Sequence, residues 1–337
     1  MRYHFRGVLR ILVLLILLIF LLPVTGMATQ QTGPLGVLNQ FPIHMIFLTP
    51  RPHSPQAISE NAFTSAVSFN YFSIYSNASS STHSLLMDME AMVLDLRLAY
   101  GLTDDLSFGA RIPMVSMQDG FMDNSLEWFH GSFGLPNYGK ERRPKDKFAY
   151  IIQKDGQAWF QAKKGGLNLL DLTLFTQIDL IDFKPYFPTK VGLTYEAKIP
   201  GGDETHGFGS GAWDHGIFIP IKVSFSLTNV YLMPGYIFIG IPEFKDSIIS
   251  TRDIKSFFIG CEYRYSSNLS FLAQINSYTS PFKDTKIEKL DVASVELALG
   301  LRWAYTSYLS AEMAFCEDLT RSAPDFNLHF MMNLKIP

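Results

Sequence analysis

The chain has 337 residues with 28 Lys+Arg against 31 Asp+Glu, so it lacks the basic field that nucleic-acid binding needs. Charged residues make up 18% and aromatic residues 14%, including 28 Phe and 15 Tyr. That is poor in charge and rich in rings for a soluble protein, and it suits a chain clothed in lipid-facing side chains. The two cysteines, Cys261 and Cys316, lie far apart in strand-like stretches, which argues against a disulfide framework and against a zinc-binding spacing.

Arg2, Arg6 and Arg10 precede the apolar run 11–22, which has the length of a signal-peptide core. It falls short of the ~20 residues a spanning helix needs. Gly26 and Ala28 provide the small residues of a cleavage site, so residues 1–28 read as a signal peptide, with a retained anchor helix as the competing reading. No later stretch reaches the ~18 apolar residues of a helical span, which leaves a secreted soluble protein or a β-barrel. Residues 29–61 carry Pro34, Pro42, Pro50, Pro52 and Pro55 and are unsuited to a central strand. The sequence leaves two places for this segment, the periplasm or the lumen as a plug.

From residue 62 to 337 the pattern is a ladder of alternating stretches, expected as strands at 62–75, 85–100, 106–117, 167–180, 186–200, 215–226, 230–240, 255–265, 269–278, 291–305, 308–316 and 325–336. In one of them Val295, Leu297, Leu299, Leu301 and Trp303 oppose Ser294, Glu296, Ala298, Gly300 and Arg302. Successive strand side chains point to opposite faces, so one face is greasy and the other polar; a 3.6-residue period would mix the two sets. Tight polar turns such as Thr103-Asp104-Asp105, Leu227-Thr228-Asn229, Ser266-Ser267-Asn268 and Thr306-Ser307 alternate with long links at 118–166, 201–214, 241–254, 279–290 and 317–324. An even number of strands, about 12, with short turns on one rim and long loops on the other, predicts an all-β fold. It is a transmembrane antiparallel up-and-down barrel of the bacterial outer membrane, with both chain ends on the periplasmic side. Tyr100, Tyr195, Tyr265, Tyr278, Trp303 and Tyr305 are expected in the interfacial girdles. A soluble β-sandwich competes, but its strands are shorter and its turns do not sort by length.

The polar face carries Asp95, Arg97, Arg111, Asp171, Asp179, Lys190, Glu196, Lys198, Lys222, Glu262, Arg264, Glu296, Arg302 and Glu312. Arg97, Arg111, Lys190, Glu196, Lys198, Glu262, Arg264, Glu296 and Arg302 are the candidate ligand-contacting or lumen-lining residues. Both signs are interleaved, which fits either a salt-bridged filling or a narrow polar passage, with no single-sign ring to set ion selectivity.

The connection 118–166 is the most distinctive segment. Residues 123–130 read as a short capped helix ended by Gly131, and 149–163 as a hairpin turning at Asp155-Gly156. A connection of this length with structure of its own is usually functional or a lid. Gly33-Pro34-Leu35 and Asn39-Gln40-Phe41-Pro42 begin a distinctive pattern. It continues far along the chain with the run Trp128-Phe129-His130-Gly131-Ser132-Phe133-Gly134-Leu135-Pro136-Asn137 and then Arg142-Arg143-Pro144. Over essentially the whole mature chain this pattern resembles a bacterial domain-of-unknown-function family whose members are expected to be outer-membrane β-barrels. The resemblance implies fold and location and brings no catalytic residues. The chain departs from the usual aromatic ending of such barrels with Lys335-Ile336-Pro337.

Chemistry is thinly signalled. Asp203, Glu204, His206, Asp214 and His215 crowd one loop, but their spacing matches no defined metal loop, and the glycines among them mark a flexible surface. Gly207-Phe208-Gly209-Ser210-Gly211 lacks the helix and Lys-Ser/Thr of a phosphate loop. His130 and His329 are the histidines a membrane hydrolase would draw on, yet there is no Gly-x-Ser-x-Gly elbow. No catalytic residue, metal or cofactor is expected. The expected partners are outer-membrane lipid, the outer-membrane assembly machinery and an unidentified small-molecule ligand, with no nucleic acid. A channel or permeation module is the leading reading. An outer-membrane enzyme acting on lipid or envelope polymer is the alternative, followed by a structural or adhesive barrel.

Overall fold

The computed structural model of the protein describes residues 32–133, 144–183, 187–242, 250–320, 322–324 and 326–336. The signal-peptide reading of 1–28 lies outside them. In chain order the elements are β1 (Phe63–Ser79), β2 (His83–Thr103), β3 (Leu106–Gln118), α1 (Asp123–Phe133), β4 (Ala149–Lys154), β5 (Gln157–Gln161), β6 (Asn168–Leu169), β7 (Leu172–Phe183) and β8 (Thr189–Ile199). There follow β9 (Asp214–Phe218), β10 (Ile221–Phe225), β11 (Thr228–Phe238), β12 (Ile254–Arg264), β13 (Leu269–Tyr278), α2 (Glu288–Asp291), β14 (Ser294–Ala304), β15 (Leu309–Asp318) and β16 (Phe326–Ile336).

The alternation in the sequence becomes the two faces of a wall. Along β13, Ser270, Leu272, Gln274, Asn276 and Tyr278 are buried, while Phe271, Ala273 and Ile275 face outward. The first and last strands, β1 and β16, pair antiparallel from Phe63↔Ile336 to Ser73↔Phe326, so the sheet closes and leaves no edge in the wall. The result is a closed antiparallel barrel of 12 strands, in which β9 and β10 together act as one interrupted strand between β8 and β11. The interruption falls at Ile219-Pro220, where proline has no N–H to give the ladder. Ile219 N instead donates to Pro234 O at 3.0 Å, and Pro220 O accepts from Gly192 N at 2.9 Å. Each of the twelve strands read from the sequence is present, with some ends shifted by a few residues: β1 runs on to Ser79 and β2 to Thr103, β7 begins at Leu172, and β14 begins at Ser294.

Outward residues such as Phe108, Leu174, Ile217, Phe257, Phe271, Leu299, Leu301 and Leu328 form the greasy belt. Tyr195, Tyr265 and Trp303 are exposed with them, but Tyr278 is not. Tyr278 shares the inward face of Asn276 and is buried in the lumen, so it does not belong to a girdle. Helix α1 runs through Gly131 to Phe133 rather than ending at Gly131. The β4–β5 hairpin extends the long upper half of β2 from His83 to Asp88. Its turn places Asp155 at φ 51° and Gly156 at φ 79°, the left-handed pair that a two-residue hairpin requires. One connection breaks the short-long rule. Only residues 80–82 join β1 to β2 on the long-loop rim, because those two strands run past the wall and carry the hairpin with them.

The belt makes a depth-dependent prediction. Leu299 is exposed and faces outward midway along β14, the position expected to meet the hydrocarbon layer. Leu299→Arg should lower unfolding stability by about 2–4 kcal/mol in a bilayer. Urea unfolding in lipid vesicles, with Lys335→Arg near the rim as the near-neutral control, measures it.

Candidate functional site: the filled lumen

Twelve strands enclose more space than their inward side chains fill, and here the remainder is taken by residues 32–61. The segment climbs from the short-turn rim along β12–β15, turns near the long-loop rim, and descends along β2, β3, β7 and β8 to enter β1. Its contacts trace this path. Lys222 Nζ donates to Thr32 Oγ1 at 2.7 Å, and Gln274 Oε1 accepts from Leu35 N at 2.9 Å. Asn39 Nδ2 donates to Ser294 Oγ at 2.6 Å. On the descending arm Asp214 Oδ2 accepts from Leu48 N at 2.8 Å, Gln177 Nε2 donates to Ser54 O at 2.8 Å, and Asp179 Oδ1 accepts from Ala57 N at 2.5 Å. The prolines suit this course, since a segment docked through carbonyls and side chains has no ladder to supply with N–H groups.

The turn at the top is a short helical coil, with His44 N donating to Phe41 O at 2.8 Å and Phe47 N to His44 O at 3.1 Å. Phe41, Ile43, Ile46 and Phe47 are buried there against Phe72, Met87, Tyr150, Trp159, Phe282 and Leu290. At roughly 25 cal/mol per Å² of buried apolar surface, four large side chains anchor the turn by several kcal/mol. His44 Nδ1 lies 3.2 Å from the Tyr278 hydroxyl. Of the two places the sequence left open for this segment, the lumen is the one it occupies.

Below the apex the plug is held by charge. Arg302 places Nη2 2.8 Å from Glu312 Oε2 and Nη1 3.3 Å from Glu262 Oε1. The same guanidinium donates to the plug carbonyls of Gly33 and Pro34, both at 2.8 Å. Glu312 Oε1 accepts from Gly36 N at 2.8 Å and lies 3.3 Å from His329 Nε2, whose Nδ1 meets Asn70 Oδ1 at 2.9 Å. His329 is therefore a lumen-packing residue. Across the barrel Arg51 of the plug reaches Asp95 Oδ1 at 3.2 Å, and Arg111 lies 3.3 Å from the other oxygen of Asp95. His53 Nε2 meets Thr194 Oγ1 at 2.7 Å. Gly36 lies where the two arms touch; a Cβ there would stand 2.8 Å from Arg51 Nη2 and 2.9 Å from Met331 Cε.

A third cluster ties the long-loop rim to the descending arm. Lys198 Nζ donates to Asp171 Oδ2 at 2.6 Å, Ser210 Oγ at 2.7 Å and Ala212 O at 2.9 Å, and stands 3.4 Å from Asp214 Oδ2, the oxygen that accepts from Leu48 N. A space of about 30 Å³ remains between plug and wall beside Gln40, Asp95, Arg111, Asp171 and Lys198.

The nine residues read from the sequence all sit on the inward face but do not form one group. Arg302 and Glu262 belong to one cluster and Lys198 to another. Arg97 stacks over Phe175 at 4.2 Å near Arg111, and Glu196 lies in the field of Arg111, Arg97 and Arg51. Lys190 pairs with Asp182 at 3.2 Å, and Arg264 donates to Ser226 O, both toward the short-turn rim. Glu296 stands apart from all of them. The loop motif is divided. Trp128 is exposed on α1 with Phe129, His130 and Gly131 in the same helix, whereas Gly134, Leu135, Pro136, Arg142 and Arg143 lie outside the described residues. The loop at 203–215 does not converge on a metal, and no group of three His, Cys, Asp or Glu side chains does so among the described residues. There the Thr205 hydroxyl, and His206 with it, hold the Asp203 carboxyl below the usual carboxylate range. Asp214 is committed to Lys198 and the plug.

Residues 10–336 match the family described as "Protein of unknown function (DUF3187)". The chain belongs to that family. No curated protein matches it in sequence. Among solved structures it is similar to the COG4313 outer membrane channel from Pseudomonas putida F1, at 14% identity and a TM-score of 0.57, covering 85% of this chain and 100% of that one. It also aligns with the Ralstonia pickettii toluene transporter TbuX, at 13% identity, a TM-score of 0.42, and 94% and 99% coverage. At such identities the first likeness speaks to fold, and the fold of this family member is the outer-membrane β-barrel.

Arg302 gives the sharpest test of the lumen network. Arg302→Leu leaves Glu262 and Glu312 buried without their counter-charge, and should cost about 3–5 kcal/mol. The double change with Glu312→Gln should recover part of that loss, measured by urea unfolding in vesicles.

Proposed function

We propose that the protein is an outer-membrane channel for small polar solutes, held shut by its own N-terminal segment. The observation that carries this reading is how the segment is held. Among the described residues the plug makes no strand pairing with the wall, and below its apolar turn its ties are single hydrogen bonds and ion pairs facing a charged interior. Such ties exchange readily for water once the segment moves, because each is worth on the order of 0.5–3 kcal/mol net. A covalent or laddered plug would not let go in that way. With the plug withdrawn, Arg97, Arg111, Glu196, Lys198, Glu262 and Arg302 border a polar path of mixed sign, which favours small polar solutes without strong ion selectivity.

The greasy belt supports an outer-membrane location, and on this reading outer-membrane lipid is its solvent and the membrane's assembly machinery the partner that inserts it. The likeness in fold to an outer-membrane channel agrees with this reading and adds no substrate. No residue is assigned a catalytic role. Among the described residues, His329 is hydrogen-bonded to Glu312 and Asn70 and to no serine, threonine or cysteine.

Electrical recording from the reconstituted protein tests the reading. The intact chain should be mostly closed in planar bilayers, with brief openings. Arg51→Ala removes the pair with Asp95 and should raise the open fraction about tenfold, the equivalent of one net ion pair of ~1.4 kcal/mol. Silence of both Arg51→Ala and a chain lacking residues 32–55, with no swelling of liposomes in any small solute, would remove the channel reading.

A further inference from the structure

The connection that follows β3 leaves the wall on its outer side. Along β1 the buried, inward residues are Ala66, Ser68 and Asn70, the last bonded to His329 in the lumen. Tyr71 therefore points outward, beside its register partner Leu328, which belongs to the greasy belt. Glu90 of β2 opposes Ser73 and shares that outward parity. At Gly120 the chain takes φ 79° and passes so close over Glu90 that a Cβ there would strike the carboxyl group. Glu90 Oε1 then accepts from Phe121 N at 3.0 Å and Met122 N at 2.6 Å, while Oε2 accepts from the Tyr71 hydroxyl. The Phe121 ring stands 6.1 Å from that of Tyr71. A lid over the mouth would hang from inward groups, and these are outward ones. The plug's apex already has its cover, made by β4, β5 and the 279–293 connection.

Helix α1 starts at Asp123, directly after these ties, and the returning chain holds its first turns. Asp123 Oδ2 accepts from Asp146 N at 2.8 Å, and Lys145 Nζ reaches Asn124 Oδ1 at 2.6 Å and Glu127 Oε2 at 2.5 Å. The root of the helix is thus fixed at the upper margin of the belt. There the outward register pairs change from Leu94 with Met114 to Met92 with Ser116 and then Glu90 with Gln118, from apolar to polar. That is the change from hydrocarbon to headgroup depth. Phe121 is 63% exposed and Trp128 72% exposed at this margin. Rings so open are unfavourable in water and favoured at the headgroup level, where one edge meets apolar chains and the other stays wet.

We propose that Phe121 and Trp128 insert into the headgroup layer of the outer leaflet, so that the start of the 118–166 connection is a lipid-surface anchor and not a lid. The occupant is the lipid interface itself, because the two rings continue the belt upward through Leu328 and Tyr71. The same connection runs on into β4, so the anchor ties the cover of the plug to the membrane surface. The inference needs the belt in lipid and makes no use of solute passage.

Fluorescence of the full mature protein in phosphatidylcholine nanodiscs, which leave both faces open to solution, tests it. The emission of Trp128 is the difference between the parent chain and Trp128→Phe, a surface change that leaves the fold intact. It should be quenched about twofold more strongly by a spin label on the lipid headgroup than by aqueous iodide. Emission quenched chiefly by iodide, or by neither agent, overturns the proposal. Phe121→Ser should shift the Trp128 balance toward iodide, whereas an unchanged balance would contradict a shared anchor. If Phe121→Ser does not fold, the comparison of quenchers on the parent chain decides.

Discussion

The constraint on which the structure depends is the width of the barrel. Eight strands can be filled by their own side chains, and porins of 16 or more hold water. Twelve leave a bore too wide for side chains alone, and this chain fills it with its own N-terminal segment. Once that choice is made, the interior must supply partners for a stretch of backbone with no ladder of its own. Inward residues of β7, β9, β13 and β15 therefore accept from plug N–H groups, and Arg302 donates to plug carbonyls.

The charges inside the wall are best understood as satisfying the plug and one another. Arg302 lies between two glutamates and two plug carbonyls, and Lys198 among Asp171, Asp214 and two groups of the 201–212 loop. Buried pairs of this kind add little net stability over apolar packing, but they are costly to break singly. They fix where the plug sits more than how tightly it is held. The apolar turn at the top contributes the larger share of adhesion, and it meets residues from β1, β2, the β4–β5 hairpin and the 279–293 connection.

Most of the wall was legible in the sequence because period-two alternation is a local signal. Val295 to Trp303 declare their face without reference to any distant residue. Parity also held the answer for Tyr278. It falls in step with Gln274 and Asn276, so it faces inward, even though it sits near a strand end as girdle rings do. The plug was not legible, because its ties join residues 239 and 276 positions apart, as in Leu35–Gln274 and Gly36–Glu312. One signal was available. Leu35, Val37, Phe41, Ile43 and Ile46 to Leu48 are too apolar for a segment left in water, and the five prolines excluded the wall. Together these point to burial somewhere other than the sheet, although not to which strands.

Amide hydrogen exchange across residues 32–61 of the reconstituted protein tests the filled lumen most directly. The amides of Leu35, Gly36 and Leu48, bonded to Gln274, Glu312 and Asp214, should exchange far more slowly than an open chain and stay protected for minutes or longer. Exchange of the whole segment at the rate of an unfolded tail, while the strands remain protected, would contradict the account.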